Sequence, residues 1–140
     1  MRILFLDDDR ERAKVFMSTH PETRWVRTAH ECNGALGCGW DEVHLDHDLD
    51  ERISLSGMEV VRALVRLPAS QGRRRHIGRI VIHSLNWKAA IEMVRQLRGA
   101  GYNVAYEPFG RPADPNRDTL VDAICSGLSP EIDGAFVLGA

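Results

Sequence analysis

Several features that would narrow the function at once are scarce in this sequence. Cysteine occurs three times in 140 residues, at Cys32, Cys38 and Cys125. An odd number without metal-type spacing speaks against both a disulfide framework and a cysteine-held metal, and fits reduced thiols in a cytoplasmic protein. Long apolar runs are missing too. Nothing approaches the roughly 20 apolar residues that cross a bilayer, so no membrane partner is expected. "MRILFLDDD" offers only a short apolar run before three acids, which is not a secretory signal. Neither sign of charge dominates: the formal net charge is −2, and there is no DNA-binding motif. Lysine is nearly absent, and sixteen of the eighteen basic residues are arginine. Arginine suits bidentate contacts with carboxylate or phosphate, although GC-rich coding produces the same bias. With no repeats, low-complexity segments or linkers, residues 1–140 read as a single domain.

What the sequence does carry is an alternation of apolar runs and amphipathic stretches. "ILFL" (3–6) reads as a strand buried on both faces. "DRERAKVFMSTH" places Ala13, Phe16, Met17 and His20 at helical spacing, with Asp9 as cap. "RWVRTA" (24–29) is a second strand, and "HECNGALGCG" a weak helix loosened by glycine. "DEVHLDHDL" (41–49) supplies a third strand and its exit loop. "SGMEVVRALVRL" (56–67) is a strong helix closed by Pro68. "GRIVIHS" (78–84) is a fourth strand, and "NWKAAIEMVRQLRGAG" (86–101) a helix capped by Asn86. "YNVAY" (102–106) is a fifth strand, followed by the loop "EPFGRPADPN" and a helix over "RDTLVDAICSG". The apolar "AFVL" near the end reads as a segment that packs on the core or pairs with a partner.

Five strand-then-helix units of this length predict an α/β fold of three layers, α/β/α, around one parallel sheet. Short units and right-handed crossovers favour the flavodoxin-like order 2-1-3-4-5. Ligands in such sheets bind beyond the carboxyl ends of the strands, at the switch point between strands 1 and 3. That rule gathers Asp7, Asp8 and Asp9 with Asp46, His47 and Asp48, and with His83, Ser84 and Asn86.

Each of these residues has an ordinary reading beside a functional one. A single acid after a strand commonly caps the next helix, but capping cannot occupy three acids. Asp7 and Asp8 repel each other unless a cation lies between them, either Mg²⁺ or Mn²⁺ or the side chains of Arg10 and Arg12. A histidine at a strand end is commonly structural. Two of them beside a carboxylate cluster point to metal binding or to proton transfer near neutral pH. Ser84 and Asn86 add donors at a helix start, where the dipole favours phosphate. The run Arg73, Arg74, Arg75 and His76 reads as a solvated loop or as a contact to nucleotide or RNA phosphates. Trp40 and Trp87 read as packing residues before they read as base-stacking ones.

"ILFLDDD", with Asp7 and Asp8, and "VHLDHDL", with Asp46, resemble the acidic strand ends of receiver domains, the phosphoacceptor modules of two-component signalling. Gly57 resembles the glycine opening their next helix, Ser84 their hydroxyl residue, and "YEPF" their lysine-proline-phenylalanine stretch. The sequence departs from that pattern at Glu107, which stands where receivers carry lysine, and at His47, Asp48, Asp50 and His83. "LDDDRER" at Leu6–Arg12, "LDHDL" at Leu45–Leu49 and "HSLN" at His83–Asn86 are similar to the cyclic-phosphate processing receiver family, a receiver-like branch of bacteria and phages.

The resemblance implies a metal-dependent phosphoesterase acting on a cyclic phosphate of a nucleotide or RNA end. Asp46, His47 and His83 would be catalytic, and Arg10, Ser84 and Asn86 would hold the phosphate. Asp7, Asp8, Asp46 and Asp48 would hold a divalent metal, Mg²⁺ or Mn²⁺, with Zn²⁺ as the alternative. Two other functions compete: a phosphoacceptor receiver with Asp46 as acceptor, and a nucleotide-binding module without turnover.

Overall fold

The computed structural model describes residues 1–49, 56–66, 76–130 and 136–138. Asp50, Pro68 and the run Arg73–Arg75 lie outside the described residues. Five parallel strands form one sheet in the order β2-β1-β3-β4-β5. They are β1 (Ile3–Leu6), β2 (Arg24–Val26), β3 (Trp40–Leu45), β4 (Ile77–Ile82) and β5 (Val104–Tyr106). The helices between and after them are α1 (Arg10–Thr19), α2 (Ala29–Ala35), α3 (Met58–Arg66), α4 (Trp87–Gly99) and α5 (Pro115–Cys125). This is the expected three-layer flavodoxin-like receiver fold.

Helices cover both faces of the sheet. Strand β1 is apolar at both parities. Strands β3 and β4 also carry Glu42, His44 and Arg79 on the face of Phe5, with Glu42 joined to His44 at 2.9 Å and to Arg79 at 3.3 Å. Leu4, Leu6, Val43, Leu45, Ile80 and Ile82 enter the main core with residues of α2, α3 and α4. Phe5 points the other way and stacks on Phe16 of α1, with ring centroids 4.3 Å apart. Caps fall where short polar side chains precede each helix: the Asp9 carboxylate accepts from the amides of Glu11 and Arg12, and Asn86 from that of Ala89.

Several boundaries differ from the sequence expectation. The strand read over 24–29 ends at Val26, because Thr28 caps α2 and Ala29 begins it. α5 starts at Pro115, inside the stretch read as loop, with Asp114 as cap. A proline in the first turn needs no acceptor for a missing N–H, and its fixed φ suits the helix. The segment read as "AFVL" contributes β7 (Phe136–Leu138), which pairs antiparallel with β6 (Leu128–Pro130) as a separate two-stranded sheet. Trp40 is a packing residue, its indole N–H donating to the Ala35 carbonyl at 2.8 Å. Burial pushes the Cys32 thiol up to about 12, which suits an inert core cysteine.

Candidate functional site

The parallel register builds the site. Phe5, His44, Val81 and Ala105 stand level across β1, β3, β4 and β5. Side chains alternate along a strand, so Asp7, Asp46, His83 and Glu107 repeat that row two residues on, just past the strand ends. One further ladder bond per strand pair holds the row. The Asp7 amide donates to the Val26 carbonyl, Asp46 to Leu6, His83 to Leu45 and Glu107 to Ile82, at 2.9–3.2 Å.

Three members of the row converge. Asp7, Asp46 and His83 each present a ligand atom, and these atoms lie within 4.8 Å of one another. All three are buried, at 0%, 4% and 3% exposure. His83 Nε2 lies 3.0 Å from Asp7 Oδ2. Its ring lies flat on Phe5, 4.8 Å between centroids and 6° between planes, so packing fixes the ring orientation. Among the described residues, His83 Nδ1 is buried without a partner. Glu107 leaves the group and pairs with Arg79 at 2.9 Å.

Arg12 supplies the positive charge. Its Nε and Nη2 donate to the two oxygens of Asp7 at 2.8 and 3.0 Å, and Nη2 lies 3.5 Å from Asp46 Oδ2. Burial alone would raise the Asp7 carboxyl. Hydrogen bonds from His83, Arg12 and the Asp9 amide outweigh it and hold Asp7 down at about 2. Asp46 has weaker partners. Burial pushes it up to about 6, reinforced by the Asp7 charge and opposed by His83, Arg12 and the His47 amide. Two adjacent carboxylates driven apart in this way are typical of functional sites.

The remaining candidates lie around this group. Asp8 is partly exposed, 4.0 Å from Arg12 Nη2, and stays outside the three-residue cluster. His47 and Asp48 form a second pair, Nδ1 to Oδ1 at 2.6 Å, with Asn86 Nδ2 reaching the same oxygen at 3.4 Å. Ser84 is buried and its hydroxyl accepts from the Asn86 amide at 3.1 Å. Arg10 is exposed and lines a groove of about 470 Å³ with Lys14, Met17 and Trp25. Trp25 anchors that groove to the site by donating its indole N–H to the Asp7 carbonyl at 2.7 Å. Neither Trp25 nor Phe5 was singled out from sequence, although two-residue alternation places Phe5 directly behind Asp7.

A five-stranded 2-1-3-4-5 sheet with buried aspartates at the ends of β1 and β3 defines a receiver-like domain. The chain belongs to the family described as "Cyclic-phosphate processing Receiver domain", whose profile matches residues 2–99. Solved structures support the fold. The N-terminal domain of a response regulator receiver protein from Methanoculleus marisnigri JR1 aligns with a TM-score of 0.51 at 17% identity, over 93% of this chain and 98% of that one. The N-terminal domain of a response regulator/sensory box/GGDEF 3-domain protein from Carboxydothermus hydrogenoformans gives 0.56 at 15% identity, over 89% and 93%. The response regulator domain of Thermotoga maritima CheB gives 0.50 at 16% identity, over 90% and 91%. No curated protein matches the sequence. Among the described residues, no helix is long and apolar enough to cross a membrane.

Proposed function

We propose that this domain is a metal-dependent phosphoesterase that opens the cyclic phosphate of a nucleotide or RNA end. The observation that carries the proposal is the imidazole of His83 gathered with Asp7 and Asp46, because phosphoacceptance by an aspartate needs no imidazole. The donor set fits a divalent cation: two carboxylates and one imidazole. Carboxylate oxygen suits Mg²⁺ or Mn²⁺, and the nitrogen also admits Zn²⁺. Such an ion, when bound, would polarise the phosphoryl oxygens and lower the pKa of water.

The chain's own groups do the rest. In the reaction a water oxygen bonds to phosphorus and gives a proton to His83, one phosphorus–oxygen bond to the ribose breaks, and the departing alkoxide takes a proton from His47. His47, with Nδ1 held by Asp48, keeps Nε2 available to deliver that proton. His83, locked on Phe5, orients Asp7 and is the base that accepts the water proton. Arg12 offers a guanidinium beside Asp46, on the opposite flank from the position where Glu107 replaces the receiver lysine. Asn86 and Ser84 lie at the start of α4, where a phosphate is favoured. The groove of Arg10, Lys14 and Trp25 would take the nucleoside, with the base against the indole.

The test is a panel of 2′,3′-cyclic nucleotides, cyclic RNA ends and cyclic dinucleotides, incubated with protein and Mg²⁺, Mn²⁺ or Zn²⁺. Ring opening of at least one is expected, and none at all would overturn the proposal. A phosphoacceptor role is the second reading, favoured by the place of Asp46 at the end of β3 in this fold. It requires a Mg²⁺-dependent beryllofluoride adduct at Asp46.

A further inference from the structure

Beside β5 the molecule has a second polar cleft, of about 400 Å³, at the Glu107 end of the row and apart from the Asp7, Asp46 and His83 group. Its walls come from β4, α4, β5, the loop after β5, and α5. Four arginines line it, Arg79, Arg98, Arg111 and Arg117, with three acids, Glu107, Asp118 and Asp122. Two of the arginines are neutralised within the fold. Arg79 pairs with Glu107 at 2.9 Å and Arg98 with Asp122 at 2.9 Å. Arg111 and Arg117 have no acidic partner within ion-pair distance among the described residues, and neither does Asp118 a basic one.

Arg117 carries the clearest signal. Its Nη2 donates to the Pro112 carbonyl at 3.2 Å, but its Nε is buried with no acceptor. A buried N–H of a cation left unpaired is costly, and such groups in folded proteins ordinarily meet a partner. Arg111 and Arg117 line the cleft together with Tyr106, whose phenol is pushed above its ordinary pKa by burial while the two arginine charges act in the opposite sense. Ala105, Ala113 and Val121 give the cleft an apolar floor.

We propose that this cleft is a second ligand site, which takes a small phosphomonoester carrying hydroxyl groups. Arg111 and Arg117 hold the phosphate as a charge-assisted pair through their terminal nitrogens, and Asp118 accepts from a ligand hydroxyl. The volume is that of an ordinary small-molecule site. The cleft is also tied to the acidic row. The Tyr106 hydroxyl donates to the Ser84 carbonyl at 2.9 Å, and the Phe109 amide to the His83 carbonyl at 2.9 Å. A ligand there bears on the strand end that presents His83. This site rests on its own residues and stands whether or not the acidic row is catalytic.

The test uses AMP and inorganic phosphate as probes, with adenosine as the uncharged control, in EDTA at constant ionic strength. Backbone amide NMR should show AMP shifting Ala105, Glu107, Arg111 and Arg117, with smaller shifts at His83 and Ser84. Adenosine should leave them unmoved. Arg111→Gln, at an exposed position that the fold does not depend on, should weaken AMP about tenfold, the scale of one hydrogen bond to a charged group. Arg111→Gln with Arg117→Gln should abolish binding while melting temperature confirms folding. Asp46→Asn should bind AMP unchanged. No shift in the cleft with wild-type protein, or equal affinity in Arg111→Gln, would overturn the proposal.

Discussion

At the residue scale, Asp46 is held at a thermodynamic disadvantage. Its carboxyl is raised from 3.8 to about 6 by burial, so the folded state binds the proton more tightly than the unfolded chain. Folding stability is then highest below the unfolded value and falls as pH rises from about 4 through 6. At neutral pH the ionised carboxylate costs on the order of 3 kcal/mol at 1.36 kcal/mol per unit. Asp46→Asn should therefore melt several degrees higher than wild type in EDTA at pH 7, and the two should converge near pH 4. A variant less stable than wild type at pH 7 would contradict this electrostatic reading. Asp7 behaves oppositely: held at about 2, it contributes stability that is full above pH 4 and is lost as pH falls towards 2. Arg12 and His83 supply that contribution, so Arg12→Gln should flatten the acid limb of a melting-temperature profile. An unchanged limb would remove Arg12 from the account.

At the element scale, the end of β3 depends on a close backbone approach at the start of α3. A Cβ placed on Gly57 would meet the Asp46 carbonyl oxygen at 1.8 Å, and the Gly57 amide donates to the His47 carbonyl at 2.9 Å. Backbone against backbone cannot yield cheaply. Gly57→Ala should lower stability by more than about 2 kcal/mol and displace Asp46 and His47 together, read as lost metal binding. A folded Gly57→Ala variant with wild-type metal affinity would show that the turn is not what sets Asp46. Much of this was legible in the sequence. Apolar runs ending in acids marked β1 and β3, and strand order made their ends neighbours. What was not legible is which of three successive acids turns inward. That choice belongs to parity: Asp7 shares the side of Phe5, while Asp8 falls on the other side and stays partly exposed. The long reach of Arg12 to Asp46, 34 residues away, is tertiary and leaves no periodic trace. The pairing of β6 with β7 is invisible to local patterns for the same reason.

At the scale of the whole molecule, the fold does not need the metal. The main core beneath the five-stranded sheet is apolar, and Arg12 already offsets part of the acidic charge. The EDTA-treated protein should be folded, and a divalent cation should raise its melting temperature by mass action, about 2.7 kcal/mol at a hundredfold excess over Kd. The rise should vanish in Asp46→Asn, and an equal rise in both proteins would place the ion elsewhere. The most direct test of the acidic row as a catalytic centre is ring opening of a 2′,3′-cyclic nucleotide, followed by phosphorus NMR with Mn²⁺. Wild-type protein should turn it over, and Asp46→Asn should not. His47→Ala and His83→Ala should each slow it by roughly 10²–10⁴-fold, the usual share of acid–base catalysis. Undiminished turnover in the variant lacking both imidazoles, or no turnover in wild type alongside a beryllofluoride adduct at Asp46, would contradict the account.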